Sequence, residues 1–335
     1  MEAVRKALQA YNIKGAVDKI ALFGSGHIND TFLIEAGKEE YLLQKLNQNV
    51  FQYPERIENN LRALLEKESD LFVKHYQTSE NTYHHHNDNG IWRLTNFVSA
   101  GYAPQTANKL HEVAEAAKGY GRFTTFADGL DKEKFTETIP KFHNLTWRLE
   151  QLNDAIKDDL ANRSKSAKNL INTTNDFRWI SEKLRTLFSE GLPTRVCHND
   201  TKLDNCLLAK LESTFCNIID LDTLGPGSVL YDFGDLMRTT LSPTAENELD
   251  ESKIEIRSDY LAALQDGFSS TCNSVLAPLE KENLLFGGLY MTYIMAVRFL
   301  TDHLNGDAYY KISFENENFV RARNQLRLLE LMSGL

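Results

Sequence analysis

Cysteine is scarce. The four residues, Cys197, Cys206, Cys216 and Cys272, form no C-x-x-C pair, which argues against a cysteine zinc site or a disulfide framework and for buried free thiols in a reducing compartment. A surplus of positive charge is also missing. Lys and Arg number 37 against 47 Asp and Glu, for a net charge of −10, which argues against nonspecific binding to nucleic acid or to an anionic membrane. No uninterrupted apolar run reaches the roughly 18–20 residues of a membrane span. The first residues, Met1 to Gly15, are of mixed charge with no apolar core, unlike a signal peptide. The expectation is a cytoplasmic protein with no nucleic-acid or membrane partner. Neither an internal repeat nor a low-complexity segment is visible.

What is present is concentrated between Val196 and Arg238. His198-Asn199-Asp200-Thr201-Lys202-Leu203-Asp204-Asn205 reads H-x-D-x-x-x-x-N, and Ile218-Ile219-Asp220-Leu221-Asp222 places a second aspartate 20 residues after Asp200. This is the layout of a phosphoryl-transfer loop. Asp200 can orient a hydroxyl and accept its proton. Asn205 and Asp220 offer the hard oxygens that Mg²⁺ prefers. Lys202 can set a positive charge against the transferring phosphoryl group. Two short apolar runs, Cys206–Ala209 and Phe215–Ile219, predict a hairpin with Asn205 at its entry and Asp220 at its exit. Asp232-Phe233-Gly234 spells a kinase triplet but lies 32 residues after Asp200, too far for that exit. Asp232 and Asp235 are expected to start a helix and to hold the backbone of the catalytic loop.

A length of 335 residues favours two lobes. The reading is α+β and bilobal: a small antiparallel β-sheet lobe over residues 1–98, and a larger, mostly helical lobe over 99–335 with the catalytic loop and acceptor site. In the first lobe, Gly24-Ser25-Gly26 joins two strand-like runs and would let backbone N–H groups approach phosphates. It is no dinucleotide fingerprint, since the third glycine is absent and a strand follows. Lys45, on the next strand, is the candidate phosphate ligand, and one residue of register would give its place to Gln44. A helix from Pro54 to Lys67 carries Glu55 and Glu58, either of which can pair with that lysine. His84-His85-His86 cannot converge on a metal, because neighbours on a strand point to opposite faces; with Asn87-Asp88-Asn89-Gly90 they predict a hairpin. The hinge is placed at Ser99–Tyr102. Phe142 opens a polar helical region to about residue 188, in which His143 and Arg148 read as surface or packing residues. Asn283 to Leu304 forms the most apolar helix. Arg298 within it is costly to bury alone, and is either a ligand contact or half of an ion pair.

Taken together, these motifs make the chain resemble the aminoglycoside phosphotransferase/choline kinase superfamily, whose fold is protein-kinase-like, and within it the N-acetylhexosamine 1-kinase family. The resemblance rests on Gly24-Ser25-Gly26-His27-Ile28-Asn29-Asp30-Thr31, Leu43-Gln44-Lys45-Leu46-Asn47, Trp92 to Phe97, Thr138 to Asn144, the His198–Asn205 and Ile219–Thr223 stretches, Tyr231 to Asp235, and Arg298-Phe299-Leu300-Thr301-Asp302. It implies ATP- and Mg²⁺-dependent phosphorylation of the anomeric C1 hydroxyl of GlcNAc or GalNAc. Asp200 would be the base and Asn205 and Asp220 the metal ligands. Arg298 and Tyr309 would contact the sugar, and His27 would reach the sugar or the phosphate. The rival expectations are another acceptor, such as choline, homoserine, methylthioribose or an aminoglycoside, or a nucleotide-binding pseudokinase.

Overall fold

The structure is a computed structural model that describes residues 1–24 and 29–335. The chain starts with a short helix, α1 (Glu2–Leu8), and then builds an antiparallel sheet from β1 (Val17–Leu22), β2 (Asp30–Ala36) and β3 (Glu39–Lys45). Helix α2 (Pro54–Leu65) follows, then β4 (His75–Tyr76), β5 (His84–Asn87) and β6 (Gly90–Asn96). The sheet runs β1-β2-β3-β6-β4, and β5 also pairs with β6. The β5–β6 hairpin forms where the polar tetrad predicts it. Asn87 caps the turn by accepting the Asn89 N–H at 2.9 Å, and Gly90 takes a φ of +127°.

Register decides what the two faces of this sheet do. Lys45 lies opposite Trp92 and Leu43 opposite Leu94, while Gln44 lies opposite both Arg93 and Thr31. The face of Trp92, Leu43, Leu94 and Ile34 packs under Val4, Ala7 and Leu8 of α1. The other face receives α2, whose Ile57 packs with Leu46 and Ile91. Each such buried aliphatic side chain contributes about 1.5–3 kcal/mol. Pro54 at the helix start and Ile57, Leu61 and Leu64 at helical spacing explain α2. Asn60, fully buried, donates to the carbonyls of Thr136 and Leu224 at 2.7 Å each and so fastens α2 to the second lobe.

After β7 (Gly101–Tyr102) the chain becomes mostly helical: α3 (Leu110–Asp128), α4 (Leu145–Asp158), α5 (Lys168–Asp176) and α6 (Trp179–Ser189). The expected polar helical region is therefore broken. Asp159 takes a left-handed φ of 41°, and its carboxylate caps the turn by accepting the N–H groups of Arg163 at 2.8 Å and Ser164 at 2.9 Å. Four short strands follow, β8 (Arg195–Cys197), β9 (Cys206–Ala209), β10 (Phe215–Ile218) and β11 (Gly225–Gly227), and then α7 (Val229–Thr240), α8 (Ser258–Cys272), α9 (Pro278–Leu304) and α10 (Glu317–Met332).

Helix α9 is the spine of this lobe and is longer than its sequence pattern suggested. By length and composition it could cross a membrane, yet 78% of its most apolar window is buried inside the protein. It packs closely on α7: a Cβ on Gly234 would lie 2.1 Å from the Gly287 carbonyl oxygen.

Candidate active site

The His198–Asn205 loop is held by two buried side chains. His198 donates from Nε2 to the Ile219 carbonyl at 2.9 Å, and its Nδ1 accepts the Asp200 N–H at 3.3 Å. Asp232, in the first turn of α7, accepts the N–H of His198 at 3.0 Å and of Asn199 at 2.8 Å. The aspartate of the literal Asp-Phe-Gly triplet thus braces the loop and lies 2% exposed. With Asn199 in a left-handed conformation (φ 65°), the Asp200 side chain stands at the loop tip. Its Oδ2 accepts from Asn205 Nδ2 at 2.9 Å and lies 3.3 Å from Lys202 Nζ. Burial pushes the Asp200 carboxyl up, but Lys202, His198 and Asn205 outweigh it and hold the carboxyl below its usual range. Lys202 is correspondingly raised, chiefly by Asp200. The pair is therefore ionised at neutral pH.

The predicted β9–β10 hairpin forms. Cys206 pairs with Ile218, and the Ile219 N–H donates to the Asn205 carbonyl at 3.0 Å. That bond sets Asn205 and Asp220 side by side. The Asn205 amide nitrogen is used on Asp200, at 2.8 Å to the carbonyl and 2.9 Å to the carboxylate, which leaves its amide oxygen for a hard cation. Burial, and then Asp222, push the Asp220 carboxyl up to about 7; a bound cation would relieve both. Among the described residues no three His, Cys, Asp or Glu converge on a metal position. Two protein oxygens completed by phosphate oxygens and water fit the habit of Mg²⁺.

On the sheet side, one expectation is corrected. Lys45 is not brought to the cleft: its side chain lies on the α1 face, with Nζ 5.8 Å from the Trp92 ring centre and the chain passing against Gly90. Gln44 holds the cleft position instead. Neither glutamate of α2 pairs with a lysine of the third strand. Glu55 is exposed, and Glu58 accepts from Tyr83 N, His84 N and His84 Nδ1 at 3.0, 3.0 and 2.7 Å. On this side of the cleft a buried cation is supplied by Arg93, which is 3% exposed. Its Nε donates to Gln44 Oε1 at 2.8 Å, it pairs with the Asp222 carboxylate, and Nη2 lies 3.8 Å from Asp220 Oδ1. Gly24 turns at a φ of +76°; Ser25, Gly26 and His27 lie outside the described residues.

Beyond Asp200, Arg298 projects from α9 and is 9% exposed. Its guanidinium lies 4.8 Å from the Phe142 ring centre and 5.6 Å from that of Tyr310. The ion-pair alternative fails: among the described residues Arg298 has no carboxylate partner, and neither has Arg148 beside it. Burial, and then Arg298, push Arg148 down to about 10. Arg148 donates to Gln151 Oε1 at 3.0 Å and the Phe142 carbonyl at 3.3 Å, while its buried Nε meets no acceptor. His143 lies within the fields of Arg298 and Asp200. Burial keeps it neutral, down at about 3, and it bonds from Nε2 to the Asn199 carbonyl at 2.7 Å. Tyr309 is half-exposed and packs edge-on against Tyr310. Both are placed by Asp302, whose carboxylate accepts Tyr309 N at 2.8 Å and Tyr310 N at 2.9 Å. A cavity of about 300 Å³ borders Phe142, His143, Asn199 and Tyr231. Neither Asp200 nor Arg298 lines it.

Sequence reasoning missed Arg93, Asp222, Tyr310 and Asp302. For Arg93 a signal existed: an arginine between Trp92 and Leu94 in a strand demands a partner as much as Arg298 does.

This geometry, a braced Asp200 loop below an antiparallel sheet with two adjacent oxygen donors, defines a phosphotransferase of protein-kinase-like fold. Residues 19–266 match the APH model, the phosphotransferase enzyme family, and the chain belongs to that family. Solved structures share its fold at low identity. The chain is similar to spectinomycin phosphotransferase APH(9)-Ia in complex with ADP and spectinomycin (13% identity, TM-score 0.62, covering 100% of this chain and 98% of that one). It is similar to a microcompartment-associated aminopropanol kinase (15%, TM-score 0.62, 99% and 96%) and to choline kinase LicA from Streptococcus pneumoniae (11%, TM-score 0.63, 98% and 98%).

Proposed function

We propose that this phosphotransferase uses ATP and Mg²⁺ to phosphorylate a small molecule, and that its acceptor is the anomeric C1 hydroxyl of an N-acetylhexosamine, GlcNAc or GalNAc. In this reading Asp200 orients the hydroxyl in line with the γ-phosphorus and takes its proton. Lys202 offsets charge on the transferring group and keeps Asp200 ionised. Asn205 and Asp220 would hold Mg²⁺, which when bound supplies charge neutralisation across the phosphates. By the family resemblance, Gly24, Ser25 and Gly26 would contact those phosphates, and His27 the transferring group or the sugar. Arg298 and Tyr309 contact the sugar.

One observation carries the choice of acceptor. Arg298 and Arg148 sit together without a carboxylate partner among the described residues, backed by the rings of Phe142 and Tyr310. Two unneutralised guanidiniums repel a quaternary or primary ammonium, and a cationic acceptor calls for acidic or aromatic walls without a competing cation. They suit a neutral, oxygen-rich ligand whose hydroxyls and amide carbonyl accept hydrogen bonds. Neutral His143 adds a donor–acceptor ring without charge. The choline- and aminoglycoside-type readings agree with the family but not with this pair of arginines.

The test is ADP release with Mg-ATP across GlcNAc, GalNAc, ManNAc, glucose, galactose, choline, homoserine and kanamycin. Turnover on N-acetylhexosamines with phosphate on C1 is the expected result. Turnover on choline or kanamycin alone refutes the acceptor assignment and leaves the catalytic loop standing.

A further inference from the structure

The phosphate-binding cation of a protein kinase is a lysine on the third strand, paired with a helix glutamate. Both halves of that pair are dismantled here. Gln44 occupies the cleft-facing position, and Lys45 is turned to the α1 face by the strand register. The α2 carboxylate at Glu58 is committed to Tyr83, His84 and Arg62. In their place the neighbouring strand β6 projects a buried guanidinium into the cleft, directly cross-strand from Gln44.

We propose that Arg93 is the residue that binds the α- and β-phosphates of the nucleotide, and that Gln44 and Asp222 position it for that task. The inference rests on the ATP-dependent reading above and concerns only how the nucleotide is held.

Three observations support it. First, location: Arg93 Nη2 is 3.8 Å from Asp220 Oδ1, so a phosphate oxygen sharing a cation with Asp220 comes within reach of that nitrogen. Second, positioning: Gln44 Oε1 accepts from Nε, and its Nε2 donates to Thr31 Oγ1 at 3.1 Å. The glutamine thus acts as a strut that fixes the guanidinium plane. Third, linkage: Asn29, immediately before β2, donates from Nδ2 to Asp222 Oδ2 at 2.9 Å and accepts Asn47 N at 3.0 Å. One network therefore joins Arg93, Asn29 and Asn47, just past the third strand. An arginine also suits the position chemically. Its planar fork keeps one N–H on Gln44 and one edge on Asp222 while presenting another N–H to phosphate, which a lysine ammonium cannot do in a fixed plane.

The experiment measures binding of MgADP and of adenosine to the full chain by calorimetry, without acceptor. Wild type, Lys45→Ala, Arg93→Lys, Arg93→Gln and the double variant Arg93→Gln/Asp222→Asn are compared, each checked for folding by thermal melt. Lys45→Ala should bind MgADP as wild type does. Arg93→Gln should weaken MgADP by about 10- to 100-fold, the loss of a charge-assisted contact, and leave adenosine unchanged; Arg93→Lys should fall between. The double variant removes the orphaned Asp222 charge. If Arg93 only braces Asp222, the double variant recovers MgADP binding and the proposal fails; if Arg93 holds phosphate, binding stays weak. A loss in Lys45→Ala with none in Arg93→Gln also overturns it. Wild type that binds no MgADP refutes the ATP-dependent reading, a result distinct from these.

Discussion

Replacing Asp232 by alanine should separate a structural aspartate from a functional one. The Asp232 carboxylate accepts two backbone N–H groups, of His198 at 3.0 Å and Asn199 at 2.8 Å, and is 2% exposed. Alanine leaves both donors buried and unpaired, at roughly 1–3 kcal/mol each. Removal of a buried carboxyl, pushed up to about 6 by its burial, returns part of that. A net loss of about 2–4 kcal/mol is expected, which is a large share of a total of about 5–15 kcal/mol. For a chain this long it lowers the melting temperature by roughly 4–10 °C. Asp220→Ala should behave in the opposite way. Its side chain is 39% exposed and stands against like charge, so the fold should change by less than about 1 kcal/mol, while MgADP binding is lost. The assay is a thermal melt of both variants without ligand, followed by MgADP titration of each. An Asp232→Ala protein that melts like wild type but no longer binds MgADP would refute the assignment of Asp232 to the loop and of Asp220 to the proposed metal position.

Asp200→Asn should keep MgADP binding and lower turnover by about two orders of magnitude or more; turnover near wild type would remove Asp200 as the base. Asp302→Ala frees the Tyr309 and Tyr310 backbone and should raise the acceptor KM about tenfold or more while leaving the KM for ATP alone; equal effects on both would show a general loss of fold. His75 is half-buried near Arg93, His84 and Glu58, with both ring nitrogens buried and without a partner among the described residues, and burial first, then Arg93, push it down to about 3. The unfolded chain protonates this ring below about 6.5 and the folded chain does not, so its stabilising contribution is present above 6.5 and fades as pH falls. His75→Phe should therefore be less acid-sensitive, by about 2 kcal/mol at pH 5 relative to pH 8, read from urea melts at the two pH values; parallel curves would refute a neutral buried ring. Gly234→Ala sets a methyl against the Gly287 carbonyl and should cost about 1–3 kcal/mol by overpacking, checked by the same melts.

The parts of the site legible in the sequence are those whose chemistry is local. His198, Asp200, Lys202, Asn205 and Asp220 lie within one loop and one hairpin, so their offsets already imply their juxtaposition. The hairpin bond from Ile219 N to the Asn205 carbonyl follows from two apolar runs and a polar turn. Helices were legible in kind through their apolar spacing, and their ends shifted where a side chain intervened. Asp159 breaks the region after Phe142 by capping its own turn, a contact that composition does not reveal.

What was not legible depends on register and on partners far along the chain. Gln44 and Lys45 are adjacent, polar and equally plausible, and a period-two strand sends one to each face. Only the pairing of β3 with β6 selects Gln44, because that pairing sets it across from Arg93. Arg93 finds Asp222 129 residues away, and Arg298 on α9 meets Phe142 in the turn before α4. The same desolvation argument applies to all three cations: Lys45 lies beside an indole, Arg93 is neutralised by Asp222, and Arg298 with Arg148 has no carboxylate partner among the described residues. A buried guanidinium with a carboxylate at hand can exchange part of that pairing for phosphate. One without a carboxylate leaves hydrogen-bonding capacity for the acceptor. Arg93, paired with Asp222, and Arg298, with no carboxylate partner among the described residues, thus differ in the way that the proposed nucleotide and acceptor assignments require.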